Sequence, residues 1–280
     1  MENTEKIKEL VKEKYSEIAL QEKNQNMSSC CGSSCCSDEV YSILADDYAT
    51  LKGYNADADL GLGCGLPTQF AKIKKGDVVV DLGSGAGNDC FIVREETGGG
   101  GKVIGIDMTE AMIDRARINA EKLGLHNVEF RLGEIENLPL TSDLADVIVS
   151  NCVLNLVPDK KKAFAEIHRV LKPGGHFSIA DIVTTGTLPA KILKTAEMYA
   201  GCVAGAFQKE EYFSIIREVG FENITLQNEK SIPIPDDILS NYLSSDEIKL
   251  YKESHAGVYS ITVYAEKKKE VCCDKETCCN

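Results

Sequence analysis

The stretch from Val78 to Asp89, VVVDLGSGAGND, constrains this chain more than any other. Three valines, an acid and then three glycines at alternate positions predict a buried strand running into a tight turn. Gly83, Gly85 and Gly87 lack the Cβ atoms that hold a ligand off the backbone, and they can take φ values closed to other residues. The turn is therefore a ligand cradle. A P-loop would close on Gly-Lys-Ser/Thr, and a dinucleotide fold would show GxGxxG facing a pyrophosphate. Here the spacing is GxGxG, with Asp81 two residues ahead of Gly83. An acid at that point repels a pyrophosphate and suits an amino group and a sulfonium cation, the charge pattern of S-adenosylmethionine. A second strand, Lys102 to Asp107, ends in an acid about twenty residues beyond the last glycine, where a carboxylate can accept both ribose hydroxyls.

Around this stretch the periodicity alternates between strand and helix. Strands are predicted over Val78–Asp81, Val103–Asp107, Val128–Leu132, Ala145–Ser150 and His176–Ile182, with helices over Asp89–Glu96, Glu110–Leu123 and Asp159–Leu171 and a turn at Lys172–Gly175. Short connections between them imply a parallel sheet wound on both faces, with ligands outside the carboxyl ends of the strands. Gly87, Asp107, Glu134 and Asn151 fall at those ends, which predicts a single crevice. The turn Gly133–Glu136 is placed to touch a purine edge.

Upstream, Ile7, Leu10, Val11, Ile18 and Ala19 recur at helical spacing among Lys and Glu, so an amphipathic helix docks on the core and Tyr15 is placed to help close a lid. A Ser/Gly/Asn/Cys loop over 24–38 and a helix over 39–51 follow. Downstream, helices are expected over 189–204 and 209–219 and strand-like runs over 223–226 and 258–265. The segments are 1–58, an N-terminal helix and Cys-rich loop; 59–185, the core; 186–267, a C-terminal substrate lobe; and 268–280, a flexible Cys-rich tail.

The formal net charge of −13 disfavours phosphate backbones and anionic membrane surfaces, so neither nucleic acid nor membrane is an expected partner. No run reaches the roughly 18 to 20 apolar residues of a membrane span, and the charged N-terminus lacks a signal-peptide core. The expected location is cytoplasmic. There the 12 cysteines point to soft-ion or redox chemistry rather than a disulfide scaffold. Cys30-Cys31, Cys35-Cys36, Cys272-Cys273 and Cys278-Cys279 are adjacent pairs near the two ends, and Cys64, Cys90, Cys152 and Cys202 are isolated.

Cys90, on the helix after the glycine loop, reads as a small buried hydrophobe. Cys64 lies between Gly63 and Gly65, Cys152 follows the fourth strand beside Asn151, and Cys202 sits among small residues, all in open settings. Three thiolates make a poor structural zinc site, which wants a fourth ligand. They suit a trigonal pyramidal soft ion such as trivalent arsenic or antimony. His168, in a helix, and His176, at a strand start, read as structural.

Gly63-Cys64-Gly65, the DLGSGAGNDC loop, Gly105-Ile106-Asp107-Met108-Thr109 and above all SNCVLNLVPDK from Ser150 to Lys160 closely resemble arsenite S-adenosylmethionine methyltransferases. The resemblance runs from about Asp59 to Ala206. It implies a class I SAM-dependent methyltransferase, a Rossmann-like doubly wound α/β sheet, here with an N-terminal Cys-rich helical cap and a small C-terminal α+β lobe. It implies that Asp81, Gly83, Ser84, Gly85, Gly87, Asp107, Met108 and Asn151 hold S-adenosylmethionine, with Glu134 and Ile135 near adenine. By the same resemblance Cys64, Cys152 and Cys202 hold As(III), supplied as arsenite or as a glutathione or other thiol conjugate. A further cysteine of the N-terminal loop, Cys35 or Cys36, supplies reducing equivalents through a disulfide, which a thiol reductant such as thioredoxin or glutathione restores. Two departures stand out. Leu62 occupies the place of a tyrosine in animal and algal relatives, and the cysteine of the long C-terminal domain in eukaryotic forms has no clear counterpart. The tail cysteines are candidates for capturing arsenite. Two other classes remain open: a carbon methyltransferase acting on a quinone or sterol, and a thiol protein that sequesters metalloids without turnover.

Overall fold

The computed structural model describes residues 2–20, 48–189, 206–234, 236–240, 243–254 and 256–269. Cys30, Cys31, Cys35, Cys36, Cys202 and the four tail cysteines lie outside them, as does most of the helices expected over 39–51 and 189–204. In chain order the elements are α1 (Glu2–Ala19), α2 (Pro67–Phe70), β1 (Val78–Leu82), α3 (Asn88–Thr97), β2 (Lys102–Asp107), α4 (Glu110–Lys122), β3 (Val128–Leu132) and β4 (Ala145–Asn151). They continue as α5 (Lys160–Val170), β5 (Leu171–Thr185), β6 (Phe207–Gln208), α6 (Lys209–Val219), β7 (Phe221–Ile232), α7 (Asp236–Ser240), α8 (Ser245–Glu253) and β8 (Gly257–Lys267).

The strands form one sheet in the order β3-β2-β1-β4-β5-β8-β7, with β6 beside the far end of β5. β1 to β5 pair in parallel, as the alternation of strands and helices requires. Two expectations are corrected. The sheet is mixed, because β8 runs antiparallel to β5 and β7 antiparallel to β8. The two C-terminal strands also extend the central sheet instead of forming a sheet of a separate lobe. Their alternating burial explains why: Val258, Ile261, Val263 and Ala265 enter the same core as Phe177 and Ile179 of β5. The turn expected at Lys172–Gly175 survives as an irregularity at the start of β5, where the register with β4 shifts and Gly174 takes φ +80°.

Successive side chains of a strand face opposite ways, and in β1 both faces are apolar. Val80 and Leu82 join Ile104, Ile106 and Ile148 beneath α5 and α6, where Phe164, Ile167 and Ile216 cover them. Val79 joins Val103, Val147 and Val149 beneath α3 and α4, where Phe91, Met112 and Ile113 cover them, and Ile18 and Ala19 of α1 reach the same cluster. Asp159 caps α5 by accepting from the Lys162 amide at 2.9 Å, and Ser244 with Glu247 forms a reciprocal capping box on α8. Among the described residues no helix is long and apolar enough to cross a membrane.

Gly105, in the middle of β2, shows how tightly the carboxyl end is packed. A Cβ there would stand 2.6 Å from the Phe130 ring and 2.7 Å from Ser84 Oγ. Gly105→Val should destabilise the fold by about 1–3 kcal/mol through overpacking. A urea titration followed by circular dichroism checks this, and an unchanged midpoint would contradict the close approach.

Candidate functional site

The glycine turn after β1 closes onto β2. The amides of Gly83 and Ser84 donate to the Ile106 carbonyl at 2.7 and 3.0 Å. Asp107, ending β2, pins the turn from the other side, accepting from the Gly85 amide at 3.0 Å and the Thr109 amide at 2.8 Å. Gly85 holds φ +51°, and the space its Cβ would occupy is open. Gly83 leaves room for Val153. The resulting crevice is lined by Gly83, Ser84, Gly85, Asp107, Met108, Glu134, Ile135, Asn151 and Cys152. Nine of the expected site positions thus converge.

Asp81 and Gly87 do not line it. Gly87, at φ +99°, opens α3, and its missing Cβ makes room for the rings of Phe91 and Phe130. Asp81 shares with Val79 the face covered by α3, is only 2% exposed, and accepts from the Cys90 thiol at 3.2 Å. Burial pushes its carboxyl well up, and the charges of Asp89 and Asp107 push the same way. The acid that faces the crevice is Asp89, in the first turn of α3. Burial raises its carboxyl to about 6, against the lowering effect of hydrogen bonds from Asn151 and Tyr48.

Asn151 is the junction of this site. Its Oδ1 accepts from the Cys64 amide at 3.1 Å, and its Nδ2 donates to the Gly65 carbonyl at 2.9 Å and to Asp89 Oδ2 at 3.2 Å. The Tyr48 hydroxyl, also in contact with the Asn151 amide, donates to the Gly65 carbonyl at 2.9 Å. Gly63 and Gly65 are needed here. A Cβ on Gly63 would meet Asn151 and Tyr48, and one on Gly65 would stand 2.7 Å from Ala180 Cβ. The Ser260 hydroxyl donates to the Cys64 carbonyl at 2.6 Å, and the Cys152 amide donates to the Ala180 carbonyl at 2.8 Å.

These ties bring Cys64 and Cys152 together. Their Cα atoms are 5.6 Å apart and their sulfurs are joined as a disulfide, in a buried cluster with Ile182, Leu188 and Val258. Cys152 takes φ +60°, a left-handed conformation uncommon for a side-chain-bearing residue. The expected third thiol, Cys202, and the redox candidates Cys35 and Cys36 lie outside the described residues. Cys90 is buried, as expected of a structural cysteine, and burial raises its thiol well above the usual range. His168 packs edge-on against Phe221 and His176 contacts the Ala71 carbonyl at 2.6 Å.

The crevice is roofed by α1. Val11 and Tyr15 line it, and Lys8 pairs with Glu134 at 2.7 Å and Glu136 at 2.5 Å. Arg115 Nη1 donates to the Ala19 carbonyl at 2.7 Å and fixes the end of the helix. Sequence reasoning missed Lys8, Tyr48, Asp59 and Asp89, all of which line the crevice. Asp89 lay in plain view at the end of the glycine stretch, but a helix start masks it as a cap. Nothing in the sequence pairs Lys8 with residues more than a hundred positions away.

The donor set fits S-adenosylmethionine. Ser84 Oγ and Asp89 Oδ1 are buried beside the crevice without protein partners, which leaves acceptors for an ammonium group. Asp107 lines the crevice at the end of β2, the open side of Gly85 admits a ligand against the backbone, and Leu156, Val157 and Pro158 supply an apolar wall.

The methyltransferase domain family matches residues 73–220. The arsenite methyltransferase of Halobacterium salinarum is 41% identical over 239 residues, covering 79% of this chain and 59% of that protein. The arsenite methyltransferase of Aquipseudomonas alcaligenes is 37% identical over 188 residues, covering 65% of this chain and 54% of that protein. The chain therefore spans only part of the length of these curated relatives. The crystal structure of an arsenic(III) S-adenosylmethionine methyltransferase from Chlamydomonas reinhardtii superposes with a TM-score of 0.62 at 32% identity, covering 82% of this chain and 74% of that one. By glycine turn, crevice and kinship, the chain belongs to the methyltransferase domain family and, within it, to the S-adenosylmethionine-dependent arsenite methyltransferases.

Proposed function

We propose that this protein methylates trivalent arsenic held by cysteine thiolates. The observation that carries the reading is the meeting of Cys64 with Cys152, which lines the crevice, two soft donors brought together by a single asparagine. S-adenosylmethionine supplies a sulfonium-bound methyl group. Asp89 and Ser84 take its ammonium group, Asp107 takes the ribose, and Met108, Glu134 and Ile135 flank the base. Asp81 stands behind them, buried and hydrogen-bonded by the Cys90 thiol.

Arsenite binding requires the Cys64–Cys152 disulfide to be opened, because a disulfide sulfur has no thiolate to offer. Two equivalents of a small thiol, or one dithiol, reduce it and leave as a disulfide. Cys202 is the third donor in this reading. The arsenic lone pair forms the As–C bond as the S–C bond breaks, leaving S-adenosylhomocysteine and formally pentavalent arsenic. A pair of thiolates, with Cys35 or Cys36 among them, then returns two electrons and forms a disulfide. Glutathione or thioredoxin is a reductant of the right class, and both pools belong to the cytoplasm.

Two outcomes test the reading. In the reduced protein with S-adenosylmethionine, glutathione and arsenite, mass spectrometry should detect methylated arsenic. Cys152→Ser should abolish it while calorimetric affinity for S-adenosylhomocysteine stays near the parent value. Methylation by the serine variant would refute the thiolate mechanism. Arsenite retained without product would favour sequestration.

The raised carboxyl of Asp89 sets a pH dependence. Its folded-state value of about 6 lies above the ordinary value near 3.8, so ionising it disfavours the unliganded fold as pH rises across that window. The ionised form is the one that attracts an ammonium group. Affinity for S-adenosylhomocysteine, which keeps that ammonium, should therefore increase as pH rises through about 6 and level off above. Asp89→Asn should bind more weakly and flatten the profile between pH 5 and 7.5, read by calorimetry. A parent profile flat across that range would refute the assignment.

A further inference from the structure

We propose that Lys160 is a positioning residue whose buried ammonium moulds the wall of the crevice between Cys152 and Pro158. Lysine is almost never fully buried without a partner, yet Lys160 is only 3% exposed. Its Nζ donates to two carbonyls of the wall, Asn155 at 3.2 Å and Val157 at 3.1 Å, and lies 4.1 Å from the centre of the Phe207 ring. Asp181, wholly buried in β5, completes the grip. Its Oδ1 accepts from the Asn155 amide at 3.3 Å and from the Ile182 amide at 3.0 Å. The N–H of Asn155 is thus held by a carboxylate and its C=O by an ammonium. Asp181, Glu211 and Glu136 supply the negative charge around the ammonium, and the buried Tyr212 phenol lies against Asp181.

The gripped segment, which is tied to β5 at its start by the bond from Cys152 to Ala180, shapes the site. Val153 fills the space left by Gly83, so the wall presses on the glycine turn. Leu156, Val157 and Pro158 face the crevice, and Cys152 starts the segment in its left-handed conformation. An uncharged side chain at 160 would leave two buried carbonyls short of a donor and Asp181 without its cation. The strain of that loss falls on the wall, since Lys160 makes its hydrogen bonds there and none to β1, β2 or β3.

The inference rests on the crevice being the cofactor site, and the experiment separates the two. Lys160→Met and Lys160→Gln are compared with the parent by calorimetry with S-adenosylhomocysteine and by hydrogen–deuterium exchange. Loss of two hydrogen bonds from a charged donor predicts that Lys160→Met binds about tenfold more weakly or worse. Exchange should accelerate over residues 152–159 while β2 and β3 keep parental protection. Lys160→Gln, which retains one amide donor, should recover part of both effects. Where the methionine variant does not fold, the glutamine variant carries the same comparison. Parental affinity with parental exchange over 152–159 overturns the proposal. So does faster exchange spread evenly across the sheet, which marks a purely structural lysine. A parent that binds no S-adenosylhomocysteine refutes the cofactor reading, and exchange over 152–159 still judges Lys160.

Discussion

The side-chain amide of Asn151 is the tie on which the site depends. An amide offers one acceptor and two donors at fixed angles, and here both ends are engaged by groups distant in sequence: the backbone of the Cys64 loop and the carboxylate of Asp89. Because Asn151 ends β4 and directly precedes Cys152, the strand that delivers one thiol also fixes the loop that delivers the other. Hydrogen bonds to a charged acceptor in a buried setting are stronger than neutral ones. Asp89 therefore orients the amide as well as facing the crevice.

That tie only works because parallel strands end together. β1, β2 and β4 present Leu82, Asp107 and Asn151 at one edge of the sheet, and every connection leaving that edge is a candidate site wall. The apolar alternation that buries β1 on both faces keeps this edge rigid. Polar groups at the edge must then be satisfied by neighbouring loops or by a ligand, and the positions left unsatisfied, Ser84 Oγ and Asp89 Oδ1, mark where a ligand belongs.

Much of this was legible in the sequence because it is local. The spans of β3 and of the helix over 209–219 follow from periodicity alone, and the glycine spacing locates the cradle. The mixed sheet was not legible, since β8 inserts beside β5 through pairing of residues about eighty positions apart. Asp81 shows the limit of motif reading: its position one residue before the end of β1 decides its direction, and α3 covers that face. Asp89, Lys8 and Lys160 carry their roles through partners remote in sequence. The glycine and strand-end settings of Cys64 and Cys152 were legible, but their joining depends on Asn151, which sequence reading assigned to the cofactor alone.

The acids around the crevice carry the last step. Burial raises the carboxyls of Asp89 and Asp107, so the unliganded site holds negative charge at a cost. A cation entering a water-poor crevice interacts with such groups far more strongly than in bulk water. S-adenosylmethionine carries two positive centres, an ammonium and a sulfonium, and methyl transfer removes the second. In the proposed reaction the same acids therefore hold the methyl donor more tightly than S-adenosylhomocysteine, and the chemistry weakens the electrostatic grip on its own product. An overall charge of −13 reinforces that asymmetry at longer range.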